Sequence, residues 1–152
     1  MKMESNSKEV KEQMQKSIDR FLEEAGRHLE GEAKKALEAD PRRIDTGLLR
    51  NSITYALYGG KPSISSYTSN ATHDKTEDPV KPIEEGGYSG LAPSIAEGRA
   101  VYIGTNVEYA MYVHEGTSIM SPNRFIKNAI DWNRPQLKSM AERIVGRGMK
   151  GY

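Results

Sequence analysis

The stretch Val101-Tyr102-Ile103-Gly104-Thr105-Asn106-Val107-Glu108-Tyr109-Ala110-Met111-Tyr112-Val113-His114-Glu115-Gly116-Thr117 decides the fold. It reads as a buried strand, a tight turn, one short aromatic helix and a glycine stop. Val101, Tyr102 and Ile103 are residue types that favour strands, and the strand is expected to span Arg99 to Thr105. Tyr109, Tyr112 and Val113 then fall on one face of a helix from Val107 to His114, which Gly116 ends. No other part of the chain is so dense in apolar and aromatic side chains, and the stretch holds no catalytic set. It therefore suits a building block better than an enzyme.

Upstream, residues Lys8 to Ala39 predict a long helix. Val10, Met14, Ile18, Phe21, Ala25, Leu29, Ala33 and Ala36 recur at three- and four-residue steps and mark one apolar stripe. Ser7 suits the N-cap, and Asp40-Pro41 stops the helix, since a residue before proline avoids the helical region. A helix this long in a small protein is expected to project at its N-terminal half and seek a neighbour. Asp45-Thr46-Gly47 reads as a turn or cap, followed by a helical turn carrying Leu48 and Leu49 inward. A strand is expected from Ser52 to Tyr58, with Ile53, Tyr55 and Leu57 on one side.

Between these two strands, residues 59–98 lose periodicity, interrupted by Gly59-Gly60, Pro62, Pro79, Pro82, Gly86-Gly87, Gly90 and Pro93. So long an irregular connection is unusual inside a compact domain, and a projecting hairpin or an assembly-ordered loop is expected. Within it, Ser63 to Asn70 suits a brief strand and Ser94 to Glu97 a brief helical turn. Downstream, Ser121-Pro122 reads as a cap with proline in the first turn. A final helix then runs from Asn123 to Val145, kinked or divided by Pro135, with Phe125, Ile126, Ala129, Ile130, Leu137, Met140 and Ile144 inward. Residues 146–152 read as a flexible basic tail. The fold class is α+β: a long N-terminal helix and a C-terminal helix packed on a small, mainly antiparallel sheet, with a long irregular loop or hairpin, in a single domain over 1–152.

Composition bounds the function. Of the 152 residues, 36% are hydrophobic and 28% charged, so the core is modest and some surface is expected to be covered by a partner. A net charge of +1 gives no global attraction to nucleic acid or membrane. From Asn123 to Tyr152, however, seven basic residues face only Asp131 and Glu142, a local net of +5. Cysteine is absent, excluding disulfides and thiolate metal sites. Met1 to Ser7 carries no apolar signal segment, and no run reaches the length of a membrane span. A soluble chain is expected.

The residues that invite chemistry each have a plainer reading. His114-Glu115 lacks a second ligand at helical spacing, and His73-Asp74 sits in the irregular loop. Asp45-Thr46-Gly47 has the letters of an aspartic-protease triplet, but those enzymes pair two aspartates on a β-rich fold, and here the triplet follows a helix. Gly86-Gly87-Tyr88-Ser89-Gly90 follows no evident strand and opens no helix, so phosphate binding is weakly supported. No catalytic residues, cofactor or metal are expected. Carboxylates such as Glu84, Glu85, Glu97 and Glu108 do not converge in any pattern visible in the sequence.

Three blocks occur in order: Asp45-Thr46-Gly47-Leu48-Leu49-Arg50-Asn51-Ser52-Ile53, Val101 through Ala110, and Val113-His114-Glu115-Gly116-Thr117. In this combination the chain resembles the HK97 gp10-like family of tailed-phage proteins, and the likeness runs through Phe125-Ile126-Lys127-Asn128-Ala129. It departs at Met111, where the family commonly has proline, and at Ser121-Pro122-Asn123-Arg124-Phe125, which lacks a second proline. The connection from Gly59 to Gly98 is also longer than a minimal member needs. The resemblance implies a structural, non-enzymatic virion protein at the phage neck, made in the bacterial host cytoplasm. It implies a homo-oligomeric ring, hexameric if it caps the tail tube, with the tail tube protein and head-completion or connector proteins as partners. Scaffold roles are then expected for Asp45, Gly47, Gly104, Tyr109, Tyr112, Gly116 and Phe125, and polar contacts within or between subunits for Arg50 and Arg124. The rival reading is a basic nucleic-acid-contacting or DNA-gating module built on the C-terminal segment.

Overall fold

The computed structural model describes residues 2–39, 47–68, 85–93 and 99–148, with side chains from Ser7 onward. Its dominant element is helix α1, Lys2–Glu38, 37 residues and about 55 Å long at 1.5 Å per residue. It begins upstream of Ser7, so that serine lies inside the helix and does not cap it. The apolar stripe turns inward only from the middle of the helix: Ala25, Leu29, Ala33 and Leu37 are buried, whereas Met14 is 43% exposed. No described residue before Ser17 is buried, so the first turns of α1 extend beyond the packed body.

Gly47, with φ at 74°, takes the left-handed turn that lets the chain enter α2, Leu48–Ser52. Leu48 and Leu49 point into the core, as their spacing indicates. Strand β1, Thr54–Leu57, pairs antiparallel with β4, Val101–Gly104, aligning Thr54 with Gly104 and Leu57 with Val101. Tyr55 is buried as expected, but so are Thr54 and Ala56, so this strand is covered on both faces. Its partner β4 is only half-buried, which corrects the expectation of a buried strand. Helix α1 lies along this pair: Gly26 rests on the Tyr55 ring and Val101, and the Tyr55 hydroxyl donates to Glu23 Oε1 at 2.7 Å.

The long connection contains a hairpin, β2 (Ser66–Thr68) against β3 (Glu85–Gly87). Gly86 and Gly87 of the glycine-rich segment thus lie in a strand. Gly86 is needed there because the Tyr67 ring crosses it; a Cβ would stand 2.4 Å from the ring. His73-Asp74 and the turn expected at Ser94–Glu97 lie outside the described residues.

The helix expected from Asn123 to Val145 is two helices, α4 (Phe125–Trp132) and α5 (Arg134–Gly148). The break falls at Asn133, which is buried; its Nδ2 donates to Ala129 O at 2.7 Å, and Oδ1 meets His28 Nε2 at 2.9 Å. Proline at 135 sits in the first turn of α5, where its missing N–H is harmless. Residues 146–148 are helical too, with Gly148 tight against Ser17 of α1, where no Cβ would fit. Both helices pack on α1. The main core joins Ala33, Leu37, Leu49, Ile53, Ala110, Val113, Phe125 and Ala129.

Candidate assembly surface

Helix α3, Ala110–Glu115, and the turn after it form the most distinctive surface. Because α3 is short, only one narrow face can reach the core, and the small residues Ala110 and Val113 occupy it. Tyr109 and Tyr112, grouped with Val113 by their spacing, are 41% and 61% exposed, beside Met111 at 69%. Gly116, φ 81°, then reverses the chain so sharply that a Cβ would stand 2.8 Å from Met120 O and from Pro122 N. Thr117 N–H donates to Met120 O at 2.8 Å, closing a tight turn whose tip, Ile119, is 96% exposed. Eight large hydrophobic residues are exposed among those described, and four of them fall between Tyr109 and Ile119. That density is high for a solvated surface. Met111 and Ile119 were not legible as surface residues, though an isoleucine within Thr117-Ser118-Ile119-Met120 is unusual for a solvated turn.

Polar groups behind this surface hold it in shape. His114 accepts from the Lys127 backbone N–H at Nε2 (3.4 Å), and its Nδ1 lies 2.7 Å from Glu115 Oε1. Its ring stands edge-on to the buried Phe125 ring at 5.3 Å. Both ring nitrogens thus have partners, and the side chain joins α3 to the start of α4. The His114 hydrogen bond, and then the Arg124 guanidinium 3.7 Å away, hold the Glu115 carboxyl below the usual carboxylate range. Among the described residues no three His, Asp or Glu side chains are grouped to hold a metal ion.

The remaining candidates are spread through the chain. Asp45 lies outside the described residues. Arg50 pairs with Glu38 across the α1–α2 junction and donates to Asn51 Oδ1 at 3.2 Å. Gly104 has extended backbone with no atom within 4 Å of a Cβ, so nothing there demands glycine. In the basic C-terminal segment, Lys127 and Arg134 both pair with Asp131, and Arg143 lies 3.4 Å from Glu24. Much of that positive charge is met within the chain.

A family model described as "Bacteriophage HK97-gp10, putative tail-component" matches residues 1–116. The chain belongs to this HK97-gp10-like family. The match ends at Gly116, short of the Phe125–Ala129 segment, so it covers α1 through α3 and leaves α4 and α5 outside. Comparison with curated proteins and with solved structures gives no match. Family membership makes the chain a phage tail component in the terms of that description, and no described helix is long and apolar enough to cross a membrane.

Proposed function

We propose that this chain is a structural, non-enzymatic subunit of a ring at the phage neck, which completes the tail and joins it to the head. The observation that carries the reading is the group of exposed apolar side chains at Tyr109, Met111, Tyr112 and Ile119, in a member of a tail-component family. A fully exposed apolar side chain gains roughly 1.5–3 kcal/mol on full burial, and Ile119, at 96% exposure, would gain the most of that at a subunit contact. The overhanging start of α1 supplies a second contact region, well removed from α3. Two unlike surfaces on one chain suit head-to-tail contacts, which close into rings. Six copies match the expectation for a tail cap, with the tail tube protein on one side and head-completion proteins on the other. The ion pairs of the basic segment weigh against the nucleic-acid reading.

The test mixes purified protein with isolated tail tubes and images the tube ends by negative stain. Rings at one end are expected with the natural chain, and none with a Met111→Glu/Ile119→Glu variant whose circular dichroism is unchanged. Tube ends that stay bare with the natural chain, while other neck proteins still bind, would overturn the proposal.

A further inference from the structure

Eight arginines fall among the described residues, and six of them pair with a carboxylate: Arg27, Arg50, Arg99, Arg124, Arg134 and Arg143. The two that have no such partner among the described residues, Arg20 and Arg147, come from opposite ends of the chain and line the same cavity. That cavity, of about 390 Å³, lies between α1 and α5. Helix α5 runs antiparallel to α1: Asn133 meets His28, Arg143 meets Glu24, and Gly148 touches Ser17. The glycine at 148 lets the two backbones approach closely. Beyond that contact the groove opens, with Arg20 and Glu24 on one wall and Arg143 and Arg147 on the other. Each pair is spaced to share one helix face. Buried Ile144 completes the lining.

Three guanidinium groups against one carboxylate leave the cavity with a net charge of +2, and Glu24 is already engaged by Arg143 at 3.4 Å. Like charges around one space repel each other, and an anion between them turns that repulsion into attraction. A guanidinium presents a fork of N–H donors that matches phosphate or carboxylate oxygens in pairs. A single carboxylate would neutralise half of the charge. A phosphate monoester, about −1.5 to −2 at pH 7, meets all of it and has three acceptor oxygens to share between the two walls. The positive charge is also local: Asp19 and Glu23 flank Arg20, and Glu142 precedes Arg143. A phosphodiester strand would meet these carboxylates on leaving the cavity, whereas a compact anion would not.

Arg143 also lines a second, mostly apolar cavity of about 520 Å³, which continues the groove past His28, Pro135, Gln136, Ser139 and Met140. Both volumes fall in the range of small-molecule sites, about 300–1,000 Å³. The His28 ring is held by Asn133 at 2.9 Å, so a flat or apolar group there meets a fixed surface. From Met140 to Arg147 the helix rises about 10 Å, a span that a small amphiphilic anion covers. We infer that the α1–α5 groove binds a small phosphate monoester, its dianionic head between Arg20 and Arg147 and its apolar body on Pro135 and Met140. Arg143 stands at the junction of the two parts. A nucleoside and a short alkyl chain are the two bodies that fit this chemistry. Neither cavity is lined by Tyr109, Met111, Tyr112 or Ile119, so the site is separate from the proposed ring contacts and goes beyond that proposal.

The test is calorimetric titration of the full chain at about 0.15 M salt, where long-range attraction between exposed charges is screened. The probes are adenosine monophosphate and hexyl phosphate, with inorganic phosphate and a thymidine oligonucleotide beside them. One monoester is expected to bind at a single site per chain, more tightly than inorganic phosphate. The double variant Arg20→Gln/Arg147→Gln is expected to weaken it about tenfold or more, the effect of losing charge-assisted hydrogen bonds. Arg27→Gln, on the same helix but paired with Glu23, should leave it unchanged. Met140→Ser should weaken the monoester and spare inorganic phosphate. Tighter adenosine monophosphate assigns the body to a nucleoside and tighter hexyl phosphate to an alkyl chain, and both support the site. No binding of either monoester at millimolar concentration, or equal binding by the double variant, would overturn it. So would an oligonucleotide that binds as tightly per phosphate and depends on the same two arginines. The double variant should also keep the Tm of the natural chain; a lower Tm would show that the two arginines serve the fold and would overturn the assignment.

Discussion

Replacing Gly26 by alanine is expected to destabilise the chain, although the same change at Gly31 is expected to stabilise it. Both glycines lie inside α1, and at each one alanine removes about 1 kcal/mol of helix-propensity cost. They differ in space. A methyl at 26 would stand 2.5 Å from Cδ2 and 2.9 Å from Cγ of Tyr55, and 2.8 Å from Cγ2 of Val101. Nothing lies within 4 Å at 31. The Tyr55 ring cannot swing clear easily, because its hydroxyl is held by Glu23 at 2.7 Å. Overpacking costs about 1–3 kcal/mol, and losing that hydrogen bond about 1 more. After the helix gain, Gly26→Ala is left about 1–3 kcal/mol less stable, and Gly31→Ala about 0.5–1 kcal/mol more stable. In a chain of this size 1 kcal/mol moves Tm by about 2–4 °C. Thermal unfolding followed by circular dichroism should therefore shift in opposite directions for the two variants. Equal stabilisation would refute the placement of α1 on the β1–β4 pair, since the overlap at Gly26 is its direct consequence.

Two further outcomes are expected. Asn133→Ala should cost about 2 kcal/mol in urea unfolding with an unchanged slope, because it strips partners from Ala129 O and His28; no loss would show that the α4–α5 break is not tied to α1 through this amide. Burial raises the hydroxyl pKa of Tyr55, Tyr67 and Tyr88 above the usual 10.0. A raised folded value means the contribution is complete below the unfolded pKa and lost as pH rises through the folded one, so stability should hold to about pH 10 and fall above it. Unfolding midpoints measured from pH 8 to 11.5 test this, and an alkaline fall that Tyr88→Phe leaves just as steep would rule out Tyr88 as a contributor.

The sequence announces the parts of this fold that bury regular stripes. Ala25, Leu29 and Ala33 give α1 its inner face because period and residue type agree there, and Tyr55 and Leu57 mark β1 by residue type, although Thr54 and Ala56 are covered too. The spacing alone leaves open which α3 residues meet the core, because two pairs in so short a helix satisfy a three-residue step, Tyr109 with Tyr112 and Ala110 with Val113. Close approach to Phe125 and the core selects the smaller pair, and only tertiary packing carries that information. Strand β3 was hidden for a different reason. Glu85-Gly86-Gly87 has no strand preference of its own and is extended because the Tyr67 ring needs the room above Gly86. The proposed assembly surface was legible as a segment but not as a face, since exposure of Met111 and Ile119 depends on where the turn after Gly116 aims.

The amides at Asn51 and Asn106 give the protein a chemical clock. Each donates to a strand-edge carbonyl only while it carries an N–H, and slow hydrolysis of an asparagine amide leaves a carboxylate, which accepts hydrogen bonds and donates none. At Asn51 the new oxygen would face the carbonyl of Thr68, and at Asn106 that of Gly87, so attraction turns into repulsion at both positions. Arg50 would still hold the altered residue 51, while the hairpin edge beside it opened. Ageing at either amide would thus release a strand-edge carbonyl that the natural chain keeps engaged.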